Sequence, residues 1–585
     1  MSTRLRLRLI GGIRSVCWLA AVALLSGCGR SGTPDGAQPG AQPAAAQIQF
    51  VDRAEAAGLR FRHANGMTGA FLEAEIYAPG VALLDFDNDG DLDVYVVQGV
   101  LPGSAGAGAA VGGDRLFRND LSQAADGSRT LMFVDVTGAS RIDERSYGMA
   151  VAAADYDNDG WTDLFSARLD GYVLLRNNHD GTFADVTVRA GLADARSWGA
   201  AAAFVDFDRD GWLDLFVGNY LLYDLKSDLK CSTPAGAPDY CDPSEYQPAS
   251  PRLYRNRGDG TFSNVTRSLA GESHGATLGV STADFNGDGW LDIYVANDRR
   301  ENDLWLNRQD GTFSNGALAA GVALNADGRA EGSMGVDAGD FDNDGDEDIF
   351  IANFTGEGHT LYVNRGDGTF EDAGLRPGIR PVSLPYTGFG AAWFDADNDG
   401  WLDVLTVNGA VQVIERLARA GDPFPLHQRK QLFRNRGDGR FDDVTAGAGA
   451  GLESSDVSRG AAFGDIDNDG DTDVVIGNNN GPLRLLLNES ARSGHWAGIR
   501  VIGAGPAPRD MIGARVVVTQ GARTMTRRAR SDGSYASAND PRVLVGLGAD
   551  ATPPSVTVVW PDGRTEAWRS VAVDRWTTLQ QGTGQ

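Results

Sequence analysis

Short apolar runs separated by polar turns recur along most of this chain. Val81-Ala82-Leu83-Leu84 leads into a nine-residue polar loop, and Val94-Tyr95-Val96-Val97 follows it. Such runs, bounded by Gly, Asn and Asp, read as strands. A second pattern lies between the loops. Leu253-Tyr254-Arg255-Asn256-Arg257-Gly258-Asp259-Gly260-Thr261-Phe262 has relatives at residues 174–183, 304–313, 361–370 and 432–441. Asp-Gly between two apolar runs marks a hairpin. Each repeat therefore supplies about four short strands, the content of a propeller blade. The expected fold is all-β: a seven-bladed β-propeller followed by a small β-rich domain.

The polar loop carries the candidate chemistry. Asp85, Asp87, Asp89 and Asp93 stand at positions 1, 3, 5 and 9, with Gly90 at position 6. Alternate carboxylates on a tight loop converge, and the glycine lets the backbone turn. Hard cations such as Ca²⁺ take six to eight oxygens at about 2.3–2.6 Å. The opening matches an EF-hand loop, but the chain runs into a strand with no Glu at position 12. Six further copies follow. They place Asp155, Asp157, Asp159 and Asp163; Asp206, Asp208, Asp210 and Asp214; Asp284, Asn286, Asp288 and Asp292; Asp340, Asp342, Asp344 and Asp348; Asp395, Asp397, Asp399 and Asp403; and Asp465, Asp467, Asp469 and Asp473 at the same positions. Asn286 is the one neutral substitute. Oxygen-only ligands favour Ca²⁺ over softer metals, and loose Asp-rich loops favour it over octahedral Mg²⁺. Up to seven Ca²⁺ are expected.

Loop starts are 70, 51, 78, 56, 55 and 70 residues apart, so the longer repeats hold insertions. Phe50-Val51-Asp52 matches the last strand of a repeat yet precedes the first loop. Leu485-Leu486-Leu487-Asn488 has no such strand after it. The orphan at the start is expected to complete the last blade and remove an open edge.

The two ends of the chain differ from this body. Residues 1–28 read as a targeting segment: Arg4, Arg6, Arg8 and Arg14 precede a short apolar core, and Leu25-Ser26-Gly27-Cys28 resembles a lipobox with Cys28 lipidated. Residues 29–47, rich in Gly, Pro, Ala and Gln, form a flexible tether. The propeller is expected over 48–490 and the second domain over 491–585. That last region carries twelve Arg, no Lys and seven acidic residues. Its arginines dock on the acidic propeller, lie solvated, or bind an anion.

The formal net charge of −27 largely reports the loops and argues against nucleic acid as partner of the main body. Cys231 and Cys241 lie in the insertion after the third loop, among Pro234, Pro238 and Pro243. Outside the cytoplasm they are expected to pair. A second insertion, 411–431, holds a short helix near Glu415. Three Arg-Gly-Asp tripeptides fall where the hairpin itself needs Asp-Gly. The six histidines show no metal-binding spacing, and no catalytic motif sits in a fitting context.

The loops Asp-x-(Asp/Asn)-x-Asp-Gly-x-x-Asp resemble FG-GAP/VCBS repeats. Their order with Leu-Tyr-Arg-Asn-x-Gly-Asp-Gly-Thr-Phe and Ala-Gly-Leu is similar to that of the cartilage acidic protein family and its bacterial relatives, over roughly 48–490. His495-Trp496, Ile512-Gly513-Ala514-Arg515-Val516, Asp540-Pro541-Arg542 and Trp560-Pro561-Asp562-Gly563 resemble the ASPIC/UnbV domain. The resemblance implies a secreted or surface-attached calcium-binding protein and no known reaction. The expected function is a binding or adhesion module for a protein or glycan outside the cytoplasm, on the bacterial cell envelope or secreted. It meets the membrane only through its lipid anchor. The alternatives are an enzyme with a site in the channel or on the top face, and a scaffold in an envelope assembly.

Overall fold

The computed structural model describes residues 48–585 apart from 100–111, 194–196, 234–235, 376, 492–493 and 506–507. The expectations for segments 1–28 and 29–47, with the lipidation of Cys28, lie outside the described residues. Among the described residues no helix is long and apolar enough to cross a membrane.

Each repeat makes one antiparallel sheet. The first holds Val81–Leu84, Asp93–Val96, Arg115–Asn119 and Phe133–Asp135. The second holds Gly148–Ala154, Asp163–Arg168, Gly171–Asn177 and Phe183–Asp185. The order recurs in sheets opening at Gly199, Thr277, Val336, Gly388 and Ser458, the fourth widened by the short strand Leu269–Ala270. The opening strands lie side by side in chain order, and that of the last sheet returns to that of the first. They close a ring around a central axis. These inner strands are almost wholly buried, and most are rich in Gly and Ala, as in Gly199–Val205, so they crowd together near the axis.

Phe50–Asp52 pairs antiparallel with Arg484–Asn488, setting Phe50 opposite Asn488 and Asp52 opposite Leu486. The N-terminal strand therefore supplies the outer strand of the last sheet, as the orphan copy indicated. The Asn that ends each third strand ties neighbouring sheets together. Asn177 Nδ2 donates to the carbonyl of Phe86 in the previous sheet at 2.8 Å. Asn256, Asn307, Asn364, Asn435 and Asn488 repeat that bond, and Asn119 donates to Ile466 at 3.1 Å across the closure.

The C-terminal region forms two facing sheets. His495–Ile502 runs between Val543–Gly548 and Trp576–Gln580, and Arg515–Gln520 runs between Arg523–Arg528 and Ser555–Val559. Ile499, Val516, Val518, Val545, Val556 and Trp560 are in the core between them. The linking segment 531–539 does not stay on the surface. It enters the ring and is buried along its whole length. Ser531 donates to the carbonyl of Ala153, Ser534 to that of Ala461, and Tyr535 to that of Tyr77, at 2.9, 2.7 and 2.9 Å. Leu83, Val151 and Val336 donate back to its carbonyls at 2.9, 3.1 and 3.0 Å. A Cβ on Gly80 would collide with the carbonyl oxygen of Ala536, so the missing side chain makes room for this plug. The channel named as an alternative active site is therefore occupied by the chain's own backbone.

Candidate metal centres

The loops share one plan, seen in the first; in the third only the Gly211 N–H reaches the position 1 aspartate, Asp206, and in the fifth both oxygens of Asp340 have no partner. Asp85 accepts from the backbone N–H groups of Asp89 and Gly90 at 3.1 and 3.2 Å, and Asp89 accepts from that of Asp91 at 3.0 Å. Asp93 is fully buried and accepts from the N–H groups of Phe86 and Asn119 at 3.0 and 2.8 Å. The position 9 aspartate thus anchors the loop to its own third strand. The same pair of backbone donors serves Asp163, Asp214, Asp292, Asp348, Asp403 and Asp473.

The carboxylates converge. Ligand oxygens lie within 4.8 Å of one another for Asp85, Asp87 and Asp93; for Asp155, Asp157 and Asp163; and at positions 1, 3 and 5 of the loops starting at Asp206, Asp340 and Asp395. Those groups could hold a metal ion. Positions 1 and 3 recur in all of them; the third member is position 9 in the first two and position 5 in the other three.

The hydrogen bonding leaves room for a cation. One oxygen each of Asp87, Asp157, Asp342, Asp397 and Asp467, all at position 3, is buried with no partner, as are Asp206 Oδ1 and both oxygens of Asp340. A buried carboxylate oxygen left unpaired is costly, and a coordinated cation removes that cost. Burial pushes Asp85, Asp155, Asp206, Asp340 and Asp465 up to about 6 and Asp292 up to about 8, with neighbouring carboxylates adding to the rise. Burial also holds Asp93 and Asp403 well above the ordinary carboxylate range. The residues present fit a hard divalent ion.

Three features of these loops were not legible as ligand positions. The Arg of Leu-x-Arg-Asn reaches back to its own loop: Arg176 pairs with Asp157 and Asp159 at 2.6 and 3.0 Å, Arg255 with Asp208 and Asp210, and Arg434 with Asp397 and Asp399. The side chain at position 4 reaches forward to the next loop, so Asn88 donates to Gly160 and Asn158 to Gly211, both at 2.9 Å. The C-terminal arginines supply the third. Arg515 donates to the Gly345 carbonyl at 2.6 Å, Arg523 to that of Asp399 at 2.7 Å, and Arg509 to that of Gly211 at 2.9 Å. Arg528 forms a buried pair with Glu347 through contacts of 2.7 and 2.6 Å. The arginine-rich sheets thus cap the acidic loop face, one of the readings open from composition.

The opposite face carries the insertions. Cys231 and Cys241 are disulfide-bonded, with Cα atoms 5.1 Å apart. The second insertion contains the short helix Glu415–Arg419 and meets the first where the Val413 N–H donates to Asp239 at 3.2 Å. Beside it lies a groove of about 710 Å³ lined by Phe354, Tyr386, Gln412, Arg416, His427 and Arg429, among others. The Arg-Gly-Asp tripeptides sit in hairpin turns, where Asp259 accepts from the N–H and hydroxyl of Thr261.

FG-GAP-like repeats match residues 155–217, 244–295, 284–351, 340–406 and 427–476, and the ASPIC and UnbV domain matches 504–585. Cartilage acidic protein 1 of Mus musculus is 26% identical over 513 residues, which cover 84% of this chain and 72% of that protein. The Homo sapiens protein is 25% identical, over 83% and 69%. The chain belongs to the cartilage acidic protein family. Within this cartilage acidic protein family member, three of the five repeat matches open on a loop aspartate: Asp155, Asp284 or Asp340. The crystal structure of rhamnogalacturonan lyase YesW aligns with a TM-score of 0.33 at 14% identity, over 70% of this chain and 71% of that one.

Proposed function

We propose that this protein is an extracytoplasmic calcium-binding module, held at the bacterial envelope through Cys28, that recognises a protein or glycan. The ring is assigned to residues 48–490 and the capping domain to 491–585. Each loop takes one Ca²⁺ through its aspartates, with Asn286 substituting in the fourth. The observation that supports this most directly is the recurrence of an unpaired, buried oxygen at position 3. Calcium bound there neutralises carboxylates that otherwise repel and adds stability to the folded state by mass action. The ion supplies charge and fixed geometry; the aspartates hold it, and the arginines take up the remaining charge.

The loop face is covered by the C-terminal sheets, so partner recognition is assigned to the opposite face, where the second insertion lines the groove. Its side chains combine aromatic surface with amides, hydroxyls and arginines, a lining suited to a polar ligand. Metal analysis and thermal unfolding of residues 29–585, with calcium and with excess chelator, test the first part. Several bound Ca²⁺ per chain and a large fall in midpoint on chelation are expected; neither appearing would remove the calcium assignment. Capture of envelope proteins and glycans by the wild type and by Tyr386→Ala/Arg429→Ala tests the second. Equal capture by both would move recognition away from the groove.

A further inference from the structure

The insertion face contains a group of ionisable side chains that the metal loops do not use. The 3-10 segment Glu73–Ile76 carries two fully buried glutamates. Glu73 Oε1 lies 2.8 Å from the Tyr77 hydroxyl, which lies 2.7 Å from the Tyr220 hydroxyl, which lies 2.7 Å from Asp298 Oδ2. Four oxygens form one line with three contacts of hydrogen-bond length.

Each contact needs one hydrogen. The two phenols supply two, and an ionised carboxylate supplies none. The third must sit on a carboxyl at one end of the line. If Glu73 carries it, both phenols donate toward Asp298. If Asp298 carries it, both donate toward Glu73. With both ends ionised, one contact sets lone pairs against lone pairs and the site buries two negative charges.

We propose that Glu73, Tyr77, Tyr220 and Asp298 share one carboxyl proton, and that this proton latches the disulfide-bearing insertion over the end of the channel. Tyr220 stands at the root of the insertion, and further contacts continue the seal. Tyr240 donates to Glu75 at 3.2 Å and Lys230 to the Ala70 carbonyl at 3.0 Å, while within the insertion Tyr246 donates to Asp228 at 2.7 Å. A cavity of about 20 Å³ touches Tyr77, Asp298 and Cys241 together, room for about one water.

The surrounding charges determine what losing the proton does. From the insertion, Asp228 and Asp242 face Glu73. Beside Asp298, Arg299 is held by Glu357 at 2.6 Å and by Asp242 at 3.6 Å, so that cation is already shared. From the channel side come Tyr535, which donates to the Tyr77 carbonyl, and Arg459, whose guanidinium donates to the carbonyls of Ile76, Gly409, Ser458 and Ala410. A second negative charge would thus arise among Asp228, Asp242, Glu75 and Glu357. Burial, with smaller contributions from Asp242 and Glu357, pushes Asp298 up to about 7, and burial holds Glu73 well above the glutamate range. A carboxyl whose folded pKa is raised contributes stability at low pH and loses it as pH rises through the folded value, here around 7 for Asp298.

Cys241 is buried and Cys231 half-buried, so a change in the reduction rate of the Cys231–Cys241 bond reports opening of the insertion. The test is the reduction rate of the calcium-loaded protein by a phosphine, taken at each pH relative to that of an unhindered small disulfide so that the titration of the reagent cancels. The wild-type rate is expected to rise about tenfold between pH 6.5 and 8.5. In Glu73→Gln the amide is a donor that does not titrate; it fills the line at every pH, and the rate stays at its low-pH level. In Tyr220→Phe the line is cut, and the rate is high throughout. A flat wild-type profile, or a Glu73→Gln profile equal to wild type, would overturn the latch. Infrared spectra of the calcium-loaded wild type and of Asp298→Asn give a readout independent of Glu73→Gln folding. A protonated carboxyl band at pH 6.5 that bleaches above pH 7 and is altered in Asp298→Asn is expected, and its absence would equally overturn the proposal.

Discussion

Asn88 donates its side-chain amide to the carbonyl oxygen of Gly160, 2.9 Å away in the next loop. The link is repeated by Asn158, Asn343, Asn398 and Asn468, the last returning to Gly90, and Arg209 makes it to Gly289. The loops thus form a hydrogen-bonded belt around one end of the ring. It lacks one link, at the fourth loop, where position 4 is Gly287 and the Gly345 carbonyl accepts from Arg515 instead.

Gly287 has φ +71°, close to the 55–60° of the asparagines at this position, and no atom lies near a Cβ built on it. Asn tolerates this left-handed conformation better than Ala. Gly287→Asn is therefore expected to be neutral or to stabilise by up to about 1 kcal/mol, and Gly287→Ala to cost about 1 kcal/mol. Denaturant unfolding in calcium distinguishes them; equal costs would show that the belt position does not select Asn. Asn398 is buried and bonds both Gly470 and Asp471, so Asn398→Ala is expected to cost about 1–3 kcal/mol, more than the exposed Asn88→Ala.

The Arg528–Glu347 pair fixes the C-terminal sheets to the fifth loop. Both side chains are under 10% exposed, and Arg528 lowers the Glu347 carboxyl despite its burial. Breaking such a pair leaves one buried charge without its partner, at a cost of about 3–5 kcal/mol. Arg528→Met alone is expected to fall in that range, and Arg528→Met/Glu347→Leu to cost clearly less. A double variant as damaged as the single would mean that packing, not charge, holds the joint.

Chelation should cost more stability as pH rises. Without metal, the loop aspartates raised to about 6 favour their neutral form in the fold, so stability is full below pH 4 for these groups and falls as pH rises through 6. Asp292 extends that fall to about 8. With calcium the ionised form is the ligand, so the stability that calcium adds grows with pH over the same window and offsets that fall. Midpoints recorded from pH 4 to 8 in chelator and in calcium are expected to lie close together near pH 4 and to separate as pH rises. Parallel curves would show that the metal does not meet these carboxylates.

The ring was legible because its code is local and repeated. Alternating strands, Asp-Gly turns and loop spacing each describe one sheet, and an orphan copy at Phe50 showed how the last is completed. The belt was not legible, because position 4 binds nothing in its own loop; its amide acts on the neighbour. The plug was hidden for a related reason. Ser531, Asp532, Ser534 and Asn539 are small polar residues with no apolar periodicity, and their burial depends on inner strands of several sheets answering this segment's polar groups. The Tyr77–Tyr220 contact joins residues 143 apart through an insertion without periodicity.

The pairing of Phe50–Asp52 with Arg484–Asn488 also governs when this molecule becomes sealed. A chain made from its N-terminus must carry that first strand unpaired until residue 484 has appeared, more than 430 positions later. Until then the ring is an arc with a bare strand at each end, the state most open to edge-to-edge association. The plug lies later still, at 531–539, so the ring either closes around an axis left empty for it or waits for it. Completion is thus a single late event that depends on both ends of the polypeptide, and a chain stopped at any earlier sheet has an arc but no circle.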